Sequence, residues 1–171
     1  MRILAIETSG AIGSVAACAG AAILVEESLE TGMAHGRMLV PLVDRVVAEA
    51  GWDRQRDIEA VAVGLGPGSF TGLRVGVACA KTLARMLRAP VAGVCSFDAM
   101  ARNASAAAER VLTVLDAKRG DVYAAAYRRS LDEWERISAP AICRPEDAAA
   151  LPAGSAIVLG DGLRRHAEVL C

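Results

Sequence analysis

Three stretches of the chain hold residue types at spacings that suit chemistry. The first is Gly64-Leu65-Gly66-Pro67-Gly68-Ser69-Phe70-Thr71-Gly72; five of the 16 glycines lie between Gly64 and Gly76. A strand running into a glycine-rich turn and then a helix N-terminus can hold an anion on free backbone N–H groups. No Gly-Lys-Ser/Thr follows, as a Walker loop requires, and the G-x-G-x-x-G spacing of a dinucleotide site is missing. Tight-turn geometry with close helix packing stands as the alternative, with Ser69 and Thr71 placed to cap the helix. The second stretch is Glu7-Thr8-Ser9, at the end of an apolar run. An acid beside hydroxyls and glycine can hold a metal–phosphate group, or it can simply end the strand and bond the turn backbone.

The third is the helix after the glycine loop. Gly72, Gly76, Ala80 and Ala84 recur every four residues and form one stripe of minimal side chains. A glycine inside a helix costs about 1 kcal/mol against alanine, so two of them imply close approach of another backbone. That backbone belongs either to the chain's own sheet or to a partner helix. Arg74, Lys81, Arg85 and Arg88 fall on the opposite side, where a solvated face is the simplest reading.

Other reactive groups form no constellation. Ser96 and Asp98 are close in sequence without a histidine, and His35 and His166 have no neighbour for a triad or metal pair. Asp116 and Asp121 flank a turn, where a structural role is the default. The cysteines at 18, 79, 95, 143 and 171 lack zinc or redox spacing, so they read as idle thiols in a reducing compartment.

The elements that must position these residues follow from apolar periodicity. Arg2–Glu7, Ser14–Cys18 and Ala22–Glu27 read as strands of a meander that leads into polar residues through Gly32. Leu39, Leu42, Val43, Val46, Val47 and Ala50 give one face of a helix over Met38–Ala50, with Pro41 predicting a kink or a late start near Met38. Ile58–Leu65 is a continuous buried strand, Gly72–Arg88 a helix and Pro90–Cys95 a strand. The stretch from Asn103 to Glu109 suits a short helix or a boundary. Val111–Asp116 and Val122–Arg128 repeat the opening hairpin around Lys118-Arg119-Gly120-Asp121, and Trp134–Ser138 suits a third strand. A helix at Pro145–Ala150, a strand at Ala156–Leu159 and a helix from Leu163 to Leu170 complete an α/β pattern.

Composition bounds the functions. The 171 residues are 54 % hydrophobic, which excludes disorder. The 19 basic and 20 acidic residues leave a net charge of −1, which excludes a chain-wide electrostatic grip on nucleic acid. Trp52, Trp134, Tyr123, Tyr127, Phe70 and Phe97 are the aromatics, so the core is Ala, Val and Leu. The early uncharged run is broken by glycines and hydroxyls, and a soluble, cytoplasmic protein without membrane segments is expected.

Four segments together, ILAIETSGAIGSVA, AHGRMLVPLV, VGLGPGSFTGLRVGVACAKTLA and VLDAKRGDVYAAAY, resemble the TsaB family, also called YeaZ. The resemblance runs over nearly all of Met1 to Gly162, and Gly66 to Gly76 is its most specific part. It implies an actin-like ATPase (ASKHA) α/β fold of two related domains, mixed sheets flanked by helices. Residues 1–100 would be the N-terminal domain with the partner interface, and 101–171 a second domain carried only in part, since relatives continue past Gly160-Asp161-Gly162.

The resemblance implies a non-catalytic subunit without a cofactor of its own. Its partner is the paralogue TsaD, which transfers threonylcarbamoyl to N6 of the tRNA adenine beside the anticodon; the ATPase TsaE joins the complex. ATP belongs to that complex, and tRNA is met only through it or through a local stripe such as Arg74 to Arg88. TsaD holds its metal with paired histidines, which this chain lacks. The contact resembles a helix bundle, which maps an interface onto Met38, Pro41, Leu42, Arg45, Gly72, Gly76, Ala80 and Ala84; a homodimer through the same helices is expected without TsaD. Glu7, Thr8 and Ser9, with Gly160 and Gly162 of half an adenosine-type turn, map as a vestigial nucleotide site. Glu7 stands where the family has Asp, and His35-Gly36-Arg37 where it reads His-Ser-Glu. An ATPase or phosphotransferase acting alone is the alternative function, and a metallopeptidase a third.

Overall fold

The first apolar run, Arg2–Glu7, is strand β1 of the computed structural model, which describes residues 1–29, 35–131 and 133–171. The expected polar stretch through Gly32 lies partly outside the described residues. β1 pairs antiparallel with β2 (Gly13–Ala19), which pairs with β3 (Ala22–Leu29). On its other edge β1 pairs parallel with β4 (Ala60–Gly64), which pairs parallel with β5 (Val91–Val94). The order is β3-β2-β1-β4-β5.

Two helices make the parallel crossings and cover one face of this sheet. Helix α1 spans His35–Glu49 and α2 spans Phe70–Leu87. The start expected near Met38 is corrected: α1 begins three residues earlier and continues through Pro41. A mid-helix proline costs about 3 kcal/mol. The fully buried Leu39, Leu42, Val43 and Val46 outweigh that, because each large apolar side chain contributes about 1.5–3 kcal/mol on burial. They pack with Leu4, Ile6, Val15, Val61 and Val63 from the strands.

The chain divides into two compact units, Met1–Val94 and Cys95–Cys171. The second opens with α3 (Ser96–Ala101). The stretch expected as helix or boundary, Asn103 to Glu109, contains no helix. The Ser105 hydroxyl accepts from the Ala107 N–H, Arg129 donates to the Ser105 and Ala108 carbonyls, and backbone turns such as Ala108 N–H to the Ser105 carbonyl meet other polar groups of this loop.

β6 (Arg110–Lys118) and β7 (Asp121–Ser130) form the central hairpin of the second unit. β10 (Ile157–Leu159) pairs parallel with β6. β8 (Glu133–Arg136) and the unforeseen β9 (Ala141–Cys143) share the far edge of β7. Helices α4 (Pro145–Ala150) and α5 (Leu163–Leu170) complete the unit. The sheet is buried on both faces: Val111, Leu115, Ala125 and Tyr127 pack with Phe97 of α3, while Leu112, Val114, Ala124 and Ala126 pack with Ala148 and Leu170. That explains the near-continuous apolar runs of β6 and β7.

Candidate functional site

The glycine loop and Glu7–Ser9 meet in the first unit. β1 ends at Glu7, and Thr8 and Ser9 are buried beneath the N-terminal half of α2. A Cβ at Gly72 would fall on the Thr8 carbonyl, one at Gly76 on the Thr8 hydroxyl, and one at Gly68 on the Ser9 carbonyl. Gly64 lies equally close to the Glu7 carboxylate. The Thr8 hydroxyl donates to the Gly72 carbonyl at 2.8 Å, and the Glu7 carboxylate accepts from the Ser9 N–H at 2.5 Å.

The phosphate role expected of this stretch depends on free donors at the start of α2. The Ser69 N–H donates to the Ser9 carbonyl at 2.7 Å, and the Gly72 N–H to the capping Ser69 hydroxyl at 3.2 Å. Two of the donors at the start of α2 are therefore used within the chain, and Thr8 lies against Gly72 and Gly76. The glycines of the loop admit the chain's own backbone at Thr8 and Ser9.

The second unit has a related approach. Gly160, at φ +121°, lies so close to β6 that a Cβ would fall on the Val114 carbonyl. The Gly162 N–H donates to the same carbonyl at 3.3 Å. Beside it the Asp161 carboxylate accepts from the Asp116 N–H at 3.1 Å. Asp116 accepts from the Lys118 N–H at 2.8 Å and pairs with Lys118 Nζ and Arg165. Burial pushes the Asp116 carboxyl up, but the Lys118 hydrogen bonds and the two cations hold it below the usual carboxylate range. The expected vestigial site is thus divided: Glu7, Thr8 and Ser9 belong to one unit, Gly160 and Gly162 to the other.

Comparison with known proteins gives three findings. A family model described as TsaD: tRNA N6-adenosine threonylcarbamoyltransferase matches residues 29–163. Curated relatives carry the name tRNA threonylcarbamoyladenosine biosynthesis protein TsaB. The one from Escherichia coli is 36 % identical over 149 residues, 85 % of this chain and 64 % of its own length. The one from Bacillus subtilis is 33 % identical, over 75 % of this chain and 56 % of its own. The solved structure of YeaZ from Pseudomonas aeruginosa superposes with a TM-score of 0.75 at 31 % identity, covering 85 % of this chain and 68 % of that one. The chain belongs to the TsaB/YeaZ family. It has the mixed α/β fold of the YeaZ structure, and it spans about half to two thirds of these curated TsaB relatives.

Within this TsaB-family chain the eight expected interface positions separate by exposure. Met38, Pro41 and Arg45 are exposed on α1, and Arg45 is held by Glu27 at 2.7 Å. Leu42, Gly72, Gly76, Ala80 and Ala84 are buried. The small stripe therefore faces Thr8 and the core of its own unit, which corrects its partner-facing reading. The exposed large apolar side chains are Met38 (41 %) and Val40 (55 %) on α1 and Phe70 (73 %) and Met86 (74 %) on α2. Sequence reasoning passed over Val40, Phe70 and Met86; the signal was their position off the buried stripes.

A second set was missed because it needs three elements. Asp98 of α3 accepts from the Tyr127 hydroxyl at 2.8 Å, and both its carboxylate oxygens accept from Arg136 Nη2 at 2.5 Å. Burial pushes Asp98 up, but the Arg136 and Tyr127 hydrogen bonds and the charges of Arg136 and Arg102 hold it low. Burial and Asp98 together push the Tyr127 hydroxyl well up. This network ties α3 to β7 and β8. Burial likewise raises the Cys18, Cys79 and Cys143 thiols, the opposite of an activated nucleophile. Among the described residues no three His, Cys, Asp or Glu side chains cluster as metal ligands, and no helix is long and apolar enough to cross a membrane.

Proposed function

We propose that this chain is a non-catalytic scaffold subunit in forming the N6-threonylcarbamoyl modification of tRNA adenine next to the anticodon. It docks the TsaD paralogue through the outer face of α1 and α2 and holds that enzyme in its active arrangement. The catalytic residues belong to TsaD, TsaE joins the assembly, and tRNA is met within it. Without TsaD, two copies of the chain pair through the same helices.

The observation that carries this reading is the similarity to relatives named tRNA threonylcarbamoyladenosine biosynthesis protein TsaB, 36 % identical over 85 % of this chain in one case. Met38 and Val40 on α1 and Phe70 and Met86 on α2 are exposed apolar side chains that a partner can cover. The close packing of Gly72 and Gly76 on Thr8 favours a supporting role over phosphate chemistry. The test is co-purification with the TsaD paralogue of the same genome. A complex at micromolar concentration that raises threonylcarbamoyl transfer by TsaD is expected; no complex at that concentration defeats the reading.

A further inference from the structure

We draw no further inference here: the strongest candidate, the face of the first unit's sheet opposite α1 and α2, where Ile3, Ala5, Ala16, Cys18 and Ala62 are half-buried, carries nothing because nothing in the structure shows what covers it.

Discussion

The two units close the ends of their central hairpins by different physics. In the first, four glycines bring a loop and a helix onto Glu7, Thr8 and Ser9, and hydrogen bonds of Thr8, Ser9 and the Glu7 carboxylate hold them. In the second, one glycine reaches the Val114 carbonyl, and charges do the rest: Asp161, Asp116, Lys118 and Arg165 around the turn, with Asp98 and Arg136 across α3 and β8. The first arrangement depends on the absence of atoms at its glycines. The second depends on ionisation and tolerates changes of size at its exposed members. The same strand meander therefore fails in two distinguishable ways.

The largest break belongs to the first unit. Gly76→Leu places a side chain on the Thr8 hydroxyl, and overpacking of this kind costs about 3 kcal/mol or more. Denaturant unfolding should show the loss in the isolated chain, before any partner is added. Gly76→Ala in a Thr8→Ala background should recover part of the loss of Gly76→Ala alone, because the clashing hydroxyl is gone. Variants that stay as stable as wild type would return the small stripe to the partner-facing reading. Leu42→Ala, at a fully buried position, should cost about 2–5 kcal/mol by leaving a cavity.

How far the sequence was legible follows the same division. Apolar periodicity located β1, β2, β3, β4, β5, β6, β7 and both long helices, because one buried face repeats at 2 or 3.6 residues. It misplaced the start of α1, since local proline chemistry was weighed without the core that overrides it. It missed α3 and β9, which are short and draw their stability from Phe97 packing and from pairing with Val122–Ala124. The stripe Gly72-Gly76-Ala80-Ala84 was legible as a close approach. Its object was not, because nothing in a helical repeat says whether Thr8 or another chain stands opposite. Asp98, Tyr127 and Arg136 are scattered over three elements, and no spacing announces a network of that kind.

A smaller break tests the charged side. Tyr127→Phe removes the hydroxyl from Asp98 and should cost about 1 kcal/mol, read as a lowered denaturation midpoint with an unchanged slope. Asp98→Asn keeps the shape and halves the ionic hydrogen bonding of Arg136. Its larger loss, about 1–2 kcal/mol at neutral pH, should shrink in acid, where wild-type Asp98 is itself protonated.

The smallest effect is the most specific to the comparison. Asp98 and Asp116 are both held below the ordinary carboxylate value of 3.8 in the folded chain. A depressed folded value contributes stability that is fully present above the unfolded value and is lost as pH falls through the folded one. Stability should therefore decline below about pH 5, with a slope that Asp98→Asn reduces. Arg165→Ala, which removes an exposed cation 3.3 Å from Asp116, should cost only about 0.2–1 kcal/mol and bring the acid decline to slightly higher pH, because Asp116 then protonates more readily. Thr8→Ser keeps the neutral hydroxyl of the first unit and should leave that pH dependence where it was. If Thr8→Ser moves the acid limb as far as Arg165→Ala does, the two hairpin ends are not closed by different physics.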